Sequence, residues 1–199
     1  MKKLFALAAF AVLSSGAFAG GFDGAFAEAA VGYAHSKTDV DGTAPSQNST
    51  VGKLTAGYSQ AFNQFNLAGN AYFIIGDQKA GSESGSVGAF TGTVNAKGTD
   101  TWGFSIEPGI NLNDNTLVYA KLGYAQTTGK IEVTGTYNGT PVSGSDSTTF
   151  RGFSYGVGAK YKFSSNLYGV VEIQQIDYRS KDDIKPSTFM SNIGIGYKF

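Results

Sequence analysis

The chain has 199 residues with 15 basic and 15 acidic side chains; setting aside Lys2 and Lys3, 13 face 15, a formal charge of −2. Such a balance leaves no electrostatic footprint for a nucleic-acid partner. No cysteine is present, which excludes disulfides and thiolate metal sites and requires another source of stability.

The first residues read as an export signal. Lys2 and Lys3 precede an apolar run from Leu4 to Leu13, and Ala17-Phe18-Ala19 forms a small-x-small cleavage pattern. The run is too short for a spanning helix, which needs ~20 apolar residues. Residues 1–19 are therefore expected to be a signal peptide cleaved near Ala19, and residues 20–199 the mature domain. With 28 Gly, 11 Tyr, 15 Phe and only 4 Pro, that domain alternates small and aromatic residues as strands do. No later apolar stretch approaches the helical spanning length, so this chain could cross a bilayer only as a closed barrel.

Period-2 alternation marks eight segments, each near the ~9–11 residues of a tilted membrane strand. The first, residues 26–36, sets Ala27, Ala29, Val31 and Tyr33 against Glu28, Ala30, Gly32 and Ala34. The second, 51–60, sets Leu54, Ala56 and Tyr58 against Lys53, Thr55, Gly57 and Ser59. In the third, 65–76, Phe65, Leu67, Ala71, Phe73 and Ile75 oppose Asn66, Ala68, Asn70 and Tyr72. The fourth carries Trp102, Phe104, Ile106, Pro108, Ile110 and Leu112 on one parity and Gly103, Ser105, Glu107, Gly109 and Asn111 on the other. Pro108 lacks a ladder donor and predicts a bulge or a weakened pairing.

The fifth, 116–127, offers Val118, Ala120, Leu122 and Tyr124 outward and Tyr119, Lys121 and Gly123 inward. The sixth alternates Phe153, Tyr155, Val157, Ala159, Tyr161 and Phe163 with Ser154, Gly156, Gly158, Lys160 and Lys162. The seventh, 167–179, puts Val171 and Ile173 outward and Glu172 and Gln174 inward, with parity blurring after Gln175. The eighth closes with Ile193, Ile195, Tyr197 and Phe199 outward against Asn192, Gly194, Gly196 and Lys198.

An aqueous sandwich alternates too, and the connections decide between the two. Short turns at 61–64, 113–115 and 164–165 contrast with long polar links at 37–50, 77–101, 128–151 and 180–187. This asymmetry predicts an all-β fold: an eight-stranded antiparallel up-and-down transmembrane barrel with short periplasmic turns and long extracellular loops. Tyr33, Phe62, Phe65, Trp102, Tyr124, Tyr161, Phe163, Tyr197 and Phe199 fall near strand ends, as two interfacial girdles require. In the third loop, Lys130 to Tyr137 keeps alternating and meets Asn138-Gly139, a type I′ turn pair, so a hairpin should project above the bilayer. A weaker copy runs from Val87 to Val94, and together they predict an exposed sheet edge at the surface.

Two stretches resemble a known family. Gly152-Phe153-Ser154-Tyr155-Gly156-Val157-Gly158, followed by Asn166-Leu167, Glu172-Ile173-Gln174 and the closing Asn192 to Phe199, resembles OmpX and Ail-type small surface barrels, as does Val118 to Tyr124. Broader relatives are opacity proteins and the OmpA membrane domain, members of the porin family of outer-membrane barrels. The resemblance implies an eight-stranded barrel of the cell outer membrane, inserted by the barrel assembly machinery, with loops used for adhesion in some members. It also implies that Ile193, Ile195, Tyr197 and Phe199 form a carboxy-terminal assembly signal, although the same residues read equally as the outward face of a last strand. A further soluble domain of the OmpA kind, which would anchor to peptidoglycan, is not expected.

Inward parity collects Glu28, Lys53, Glu107, Lys121, Lys160 and Glu172, three acids and three bases from six strands. In a barrel of ~8 strands the interior is just filled by side chains, and charges there must be paired, so a neutral ion-pair network is expected. It reads as a plug in preference to a pore lining. No catalytic constellation emerges: His35, with Ser36 and Asp39 nearby, is better read as a solvated rim residue than as the base of a Ser-His-Asp device. No metal-ligand spacing appears; Lys181-Asp182-Asp183, Asn48-Ser49-Thr50 and Asn138-Gly139-Thr140 read as ordinary loop and turn residues, and Gly156-x-Gly158 as a packing feature. No cofactor is expected. The expected function is that of a non-enzymatic, monomeric surface barrel: loops for adhesion to host or cell-surface ligands or lipopolysaccharide, and a body that supports envelope integrity. A narrow pore for ions or small solutes is the alternative, and a lipid-modifying enzyme ranks last.

Overall fold

The computed structural model describes residues 21–40, 46–180 and 184–199. The predicted signal peptide and Lys181-Asp182-Asp183 lie outside them. Nine antiparallel strands run in chain order: β1 (Gly24–Val40), β2 (Ser46–Phe62), β3 (Phe65–Ile75), β4 (Gln78–Val87), β5 (Phe90–Asn113), β6 (Thr116–Tyr137), β7 (Thr140–Lys162), β8 (Leu167–Tyr178) and β9 (Ile184–Lys198).

Eight of these close a ring. β9 pairs with β1 from Phe26↔Lys198 to Val40↔Ile184, and β3 pairs with β5 from Phe65↔Ile110 to Phe73↔Trp102. The other neighbours follow chain order, while β4 pairs only along the upper part of β5. The ninth strand is thus an addition above the ring, formed where a long link was expected. Closure matters because a barrel without edges satisfies every ladder donor and acceptor in a solvent that offers none.

Exposed and buried side chains alternate along the ring-forming strands, most regularly in β3, where every second side chain from Asn66 to Ile74 is buried. The exposed set is apolar: Phe65, Leu67, Phe73, Ile106, Phe153, Val157, Ile173, Ile193 and others stand outward, with Phe163 67% exposed. The buried set includes Lys53, Glu107, Lys121, Lys160 and Glu172. This inverts a water-soluble protein, where so large an apolar surface would aggregate. The arrangement is stable when hydrocarbon surrounds the barrel.

Several expectations need correction. The links at 77–101 and 128–151 are largely strand. β6 and β7 have 22 and 23 residues, about 12 more than a bilayer crossing requires, or roughly 40 Å of extra strand at ~3.3 Å per residue. Alternating Thr, Val and Gly here satisfy backbone groups in a ladder despite the polarity that marks loops. The hairpin turn falls at Asn138-Gly139, with Tyr137 opposite Thr140 and φ values of 50° and 79°, both left-handed as a type I′ turn demands. The second-loop copy is a longer hairpin, β4–β5, turning at Gly88-Ala89.

Parity on β8 does not blur. Ile176 and Tyr178 continue the inward face, at 0% and 2% exposure, while Gln175 and Asp177 face outward. The sequence looked irregular because the lumen turns apolar at that height. Pro108 keeps its partner on β3, Leu67, yet Glu107 and Pro108 lack ladder partners on β6 while the register is unchanged from Ile106↔Leu122 to Gly109↔Tyr119. It is a weakened pairing with no bulge. A register shift instead lies between Thr99 and Trp102, where Asp100 adopts φ 51°.

Candidate functional site: a filled lumen beneath a protruding sheet

The lumen is layered. At the periplasmic mouth Phe22 turns inward and packs edge-on to Tyr168, ring centroids 5.7 Å apart, beside Leu117. The Asp23 carboxylate accepts the Ala61 backbone N–H and fixes this segment to the β2–β3 turn. Phe22 went unrecognised in the sequence because it precedes the first alternating run.

Above it lies a charged belt, positioned by inward parity on β1, β2, β5, β6, β7 and β8. Lys160 Nζ lies 2.8 Å from Glu28 and 3.1 Å from Glu107. Lys121 Nζ lies 3.1 Å from Glu107 and 2.6 Å from Glu172. Lys53 pairs with Glu172 and donates to Gln174 Oε1 at 3.2 Å. All six charged residues meet in one network, three positive against three negative.

Neutral groups complete it. Tyr119 donates to Glu172 at 2.9 Å, Tyr168 to Glu28 at 2.8 Å, and Asn70 Nδ2 to Glu107 at 2.8 Å while accepting from Ser105 at 2.6 Å. Gln174 Nε2 donates to the Tyr72 hydroxyl at 2.9 Å. The lysines also lie over aromatic faces: Lys53 is 5.0 Å from the Tyr72 centroid, and Lys160 4.5 Å from that of Phe26. In this filled interior such contacts replace lost hydration. Inward parity had shown Tyr72, Tyr119, Asn70 and Gln174, but charge alone defined the expected network and left these neutral partners out.

A third layer was not foreseen. Ala34, Val51, Tyr72, Ile74, Ala125, Phe150, Ile176, Tyr178 and Met190 form an apolar cluster over the belt. A small polar ladder follows, with Gln78 Nε2 donating to Thr101 Oγ1 at 2.6 Å and Thr101 bonded to Thr127 at 2.7 Å. Over it opens a vestibule of about 260 Å³ between the loops.

Beyond the ring, β4 and the upper parts of β5, β6 and β7 form a four-stranded sheet. β7 pairs with β8 only from Gly152↔Tyr178 downward, so among the described residues Thr140 to Thr149 forms an edge with no strand beside it on that side. Lys97 ties the sheet together across strands, 3.1 Å from Asp77 and 3.3 Å from Glu132, and these hydrogen bonds hold its ammonium above the usual lysine pKa.

His35 Nδ1 contacts Asn48 Oδ1 at 2.7 Å, whereas Ser36 turns into the lumen and bonds Thr188 at 3.1 Å. Neighbours on opposite faces of a strand cannot act as base and nucleophile. Ile193, Ile195, Tyr197 and Phe199 stand in a row on the outer surface, with the Tyr197 and Phe199 rings 5.0 Å apart.

A closed ring with an apolar exterior, a charged filled interior and short turns on one side defines an outer-membrane β-barrel. The chain belongs to the outer membrane protein beta-barrel domain family, whose model matches residues 5–199. Its place is the outer membrane, with the short turns in the periplasm and the extended sheet outside. Among solved structures it is similar to Ail, the attachment invasion locus protein of Yersinia pestis in complex with the heparin analogue sucrose octasulfate, at 20% identity and TM-score 0.52 over 88% of this chain and 99% of that one. It is also similar to OprG of Pseudomonas aeruginosa, at 13% identity and TM-score 0.52 over 91% and 98% of the two chains, and to the outer membrane protease OmpT of Escherichia coli, at 12% identity and TM-score 0.43 over 88% and 96%. No curated protein matches the sequence.

Proposed function

We propose that this protein is a non-enzymatic surface barrel whose protruding sheet engages host or cell-surface ligands, while its body supports envelope integrity. The observation that carries this reading is the four-stranded sheet above the membrane, whose edge from Thr140 to Thr149 pairs with no strand among the described residues. Unpaired edge N–H and C=O groups are a template for adding a strand from another chain. A hairpin reaching far beyond the bilayer is built for contact outside the cell.

The filled lumen supports the plug reading over the narrow pore. Phe22, the ion-pair belt and the apolar cluster lie in series, and each leaves little room for water. The separation of His35 from Ser36 supports the non-enzymatic reading.

Gly129 pairs with Thr148, so residues 130–147 can be replaced by a two-residue turn without touching the ring. That variant should insert and resist urea as the parent does, but lose binding of the bacteria to cultured epithelial cells. Unchanged cell binding by the shortened protein would overturn the adhesion reading.

A further inference from the structure

The sheet above the membrane has two unlike faces. On the outer one, Ser82 donates to Asn95 at 2.7 Å, Ser84 bonds Thr93 at 2.8 Å and Ser86 bonds Thr91 at 2.9 Å across β4 and β5, and Lys97 pairs with Glu132. The inner face is apolar. β6 meets β7 without a register shift from Thr116 to Tyr137, so the inward side that carries Tyr119, Lys121 and Ala125 in the lumen continues upward as Ile131, Val133 and Tyr137. Phe90 and Val94 of β5 stand opposite Tyr137 and Val133, and Val142 of β7 stands opposite Gly135, which puts all six on one face.

Val94, Ile131, Tyr137 and Val142 are between 39% and 55% exposed, although they look over the barrel mouth and away from the bilayer. An apolar patch of this kind outside the membrane marks a contact surface. At its lower end the patch runs into the vestibule, which Ala96 and Ile131 also line. The Phe90 ring lies flat over the middle of the face, where a methyl group on Gly92 would collide with it. The charges here are one-sided. Glu83 on β4 stands opposite Val94, and Asp146 on β7 stands opposite Ile131, so each outer strand of the sheet sets one acid beside the apolar centre. Among the described residues, the inner face of this sheet carries no lysine or arginine.

Shape and charge select the occupant. The face is about 14 Å wide across its four strands and about 26 Å long from Gly129 to Tyr137. That is the footprint of one α-helix of roughly 17 residues and ~10–12 Å diameter. A second copy of this chain would set the same acids against one another, and a lipid chain would reach this face only by leaving the bilayer. We infer that the inner face of the sheet docks a cationic amphipathic helix of a partner polypeptide. Its apolar stripe lies on Phe90, Val94, Ile131 and Val133, and its flanking lysines or arginines lie beside Glu83 and Asp146. Sheets bury their apolar faces under helices, and a docked helix is read through apolar anchors at i, i+3, i+4 and i+7. This inference deepens the adhesion reading and rests on its premise that the sheet is a contact surface; it names the partner's chemistry and adds the face to the edge.

The test uses the full mature chain in zwitterionic phosphatidylcholine nanodiscs, with empty discs as background. The probe is a peptide of leucine and lysine, about 18 residues long, with leucines at i, i+3, i+4 and i+7. A scrambled peptide and a leucine–glutamate peptide of the same pattern serve as comparisons. The parent should bind the leucine–lysine helix at least about tenfold more tightly than either. V94T/I131T/V133T, which keeps strand-forming side chains, should lose at least about tenfold in affinity. E83Q/D146N should lose about two- to tenfold at low salt and little at high salt. S84A/T134A, on the outer face, should bind as the parent does. Equal binding of the scrambled or leucine–glutamate peptide, unchanged affinity in V94T/I131T/V133T, a gain of strand instead of helix signal in the bound peptide, or pairing of discs through this face in sedimentation velocity would each overturn the inference. A protein that adheres to cells through residues 130–147 and ignores the peptide would overturn this inference alone. One that binds the peptide, yet adheres unchanged without those residues, would overturn the adhesion reading alone.

Discussion

Lys121 Nζ sits 2.6 Å from Glu172, at 1% exposure of its side chain, with Glu107 3.1 Å away on the other side. It bridges the two halves of the belt, Glu28–Lys160–Glu107 and Lys53–Glu172. Removing one member of a buried network leaves its partners uncompensated, at a cost of about 3–5 kcal/mol. Lys121→Met should therefore lower the urea resistance of the folded barrel by that order, and Lys121→Met with Glu172→Gln should recover part of it. A fully additive double variant would show that the two side chains are not coupled.

Phe22 closes the periplasmic mouth against Tyr168 and Leu117. Phe22→Ala should destabilise the barrel by up to about 3 kcal/mol, the low end for a truncated buried aromatic. Planar bilayer recordings should give no steady conductance from either protein, because the belt and the apolar cluster still fill the lumen. Sustained ohmic steps in Phe22→Ala alone would identify the mouth as the true barrier and revive the pore reading.

A methyl group on Gly158 would collide with the Tyr119 ring, which donates to Glu172. Gly158→Ala should thus cost about 1–3 kcal/mol as overpacking in a filled interior. Gly144→Ala on the protruding sheet meets nothing within 4 Å and should be nearly silent. Comparable urea midpoints for the two variants would refute a tightly packed lumen.

Lys97 links β5 to Asp77 and to Glu132 on β6, and its pKa is raised by those bonds. A lysine whose folded pKa is raised gives its full contribution below its ordinary value of ~10.4, and loses it as pH climbs through the higher folded value. A nitroxide at Ser84→Cys on β4 should accordingly report an ordered hairpin at neutral pH and growing mobility above that range. In Lys97→Met the mobility should be raised at neutral pH and show no such step. A spectrum insensitive to both changes would mean the hairpin is held by its backbone ladder alone.

Much of this molecule was legible in its residues, for a physical reason. A membrane strand fixes each side chain to hydrocarbon or lumen with period 2, so Glu28, Lys53, Glu107, Lys121, Lys160 and Glu172 could be assigned to one interior without knowing the register. The rule weakens where its solvent contrast fades. Ile176 and Tyr178 are apolar and inward, which erased the alternation of β8, and Thr140 to Thr149 is polar on both faces, so the upper part of β7 resembled coil. Phe22 lies before any periodic run.

Phe199 lies at the end of the outward row Ile193, Ile195, Tyr197 and is 63% exposed, so its ring makes little contact with the barrel interior. If its role is recognition by the assembly machinery, as we propose, deletion of Phe199 should sharply reduce the amount of heat-modifiable, folded protein in outer membranes of growing cells. The same deletion should change spontaneous refolding into short-chain phosphatidylcholine vesicles far less, because it removes only the ring's edge contact with Tyr197 and one terminal backbone bond, from Phe199 N–H to the Ala25 carbonyl. Equal losses in cells and in vesicles would instead make Phe199 an ordinary part of the lipid-facing surface.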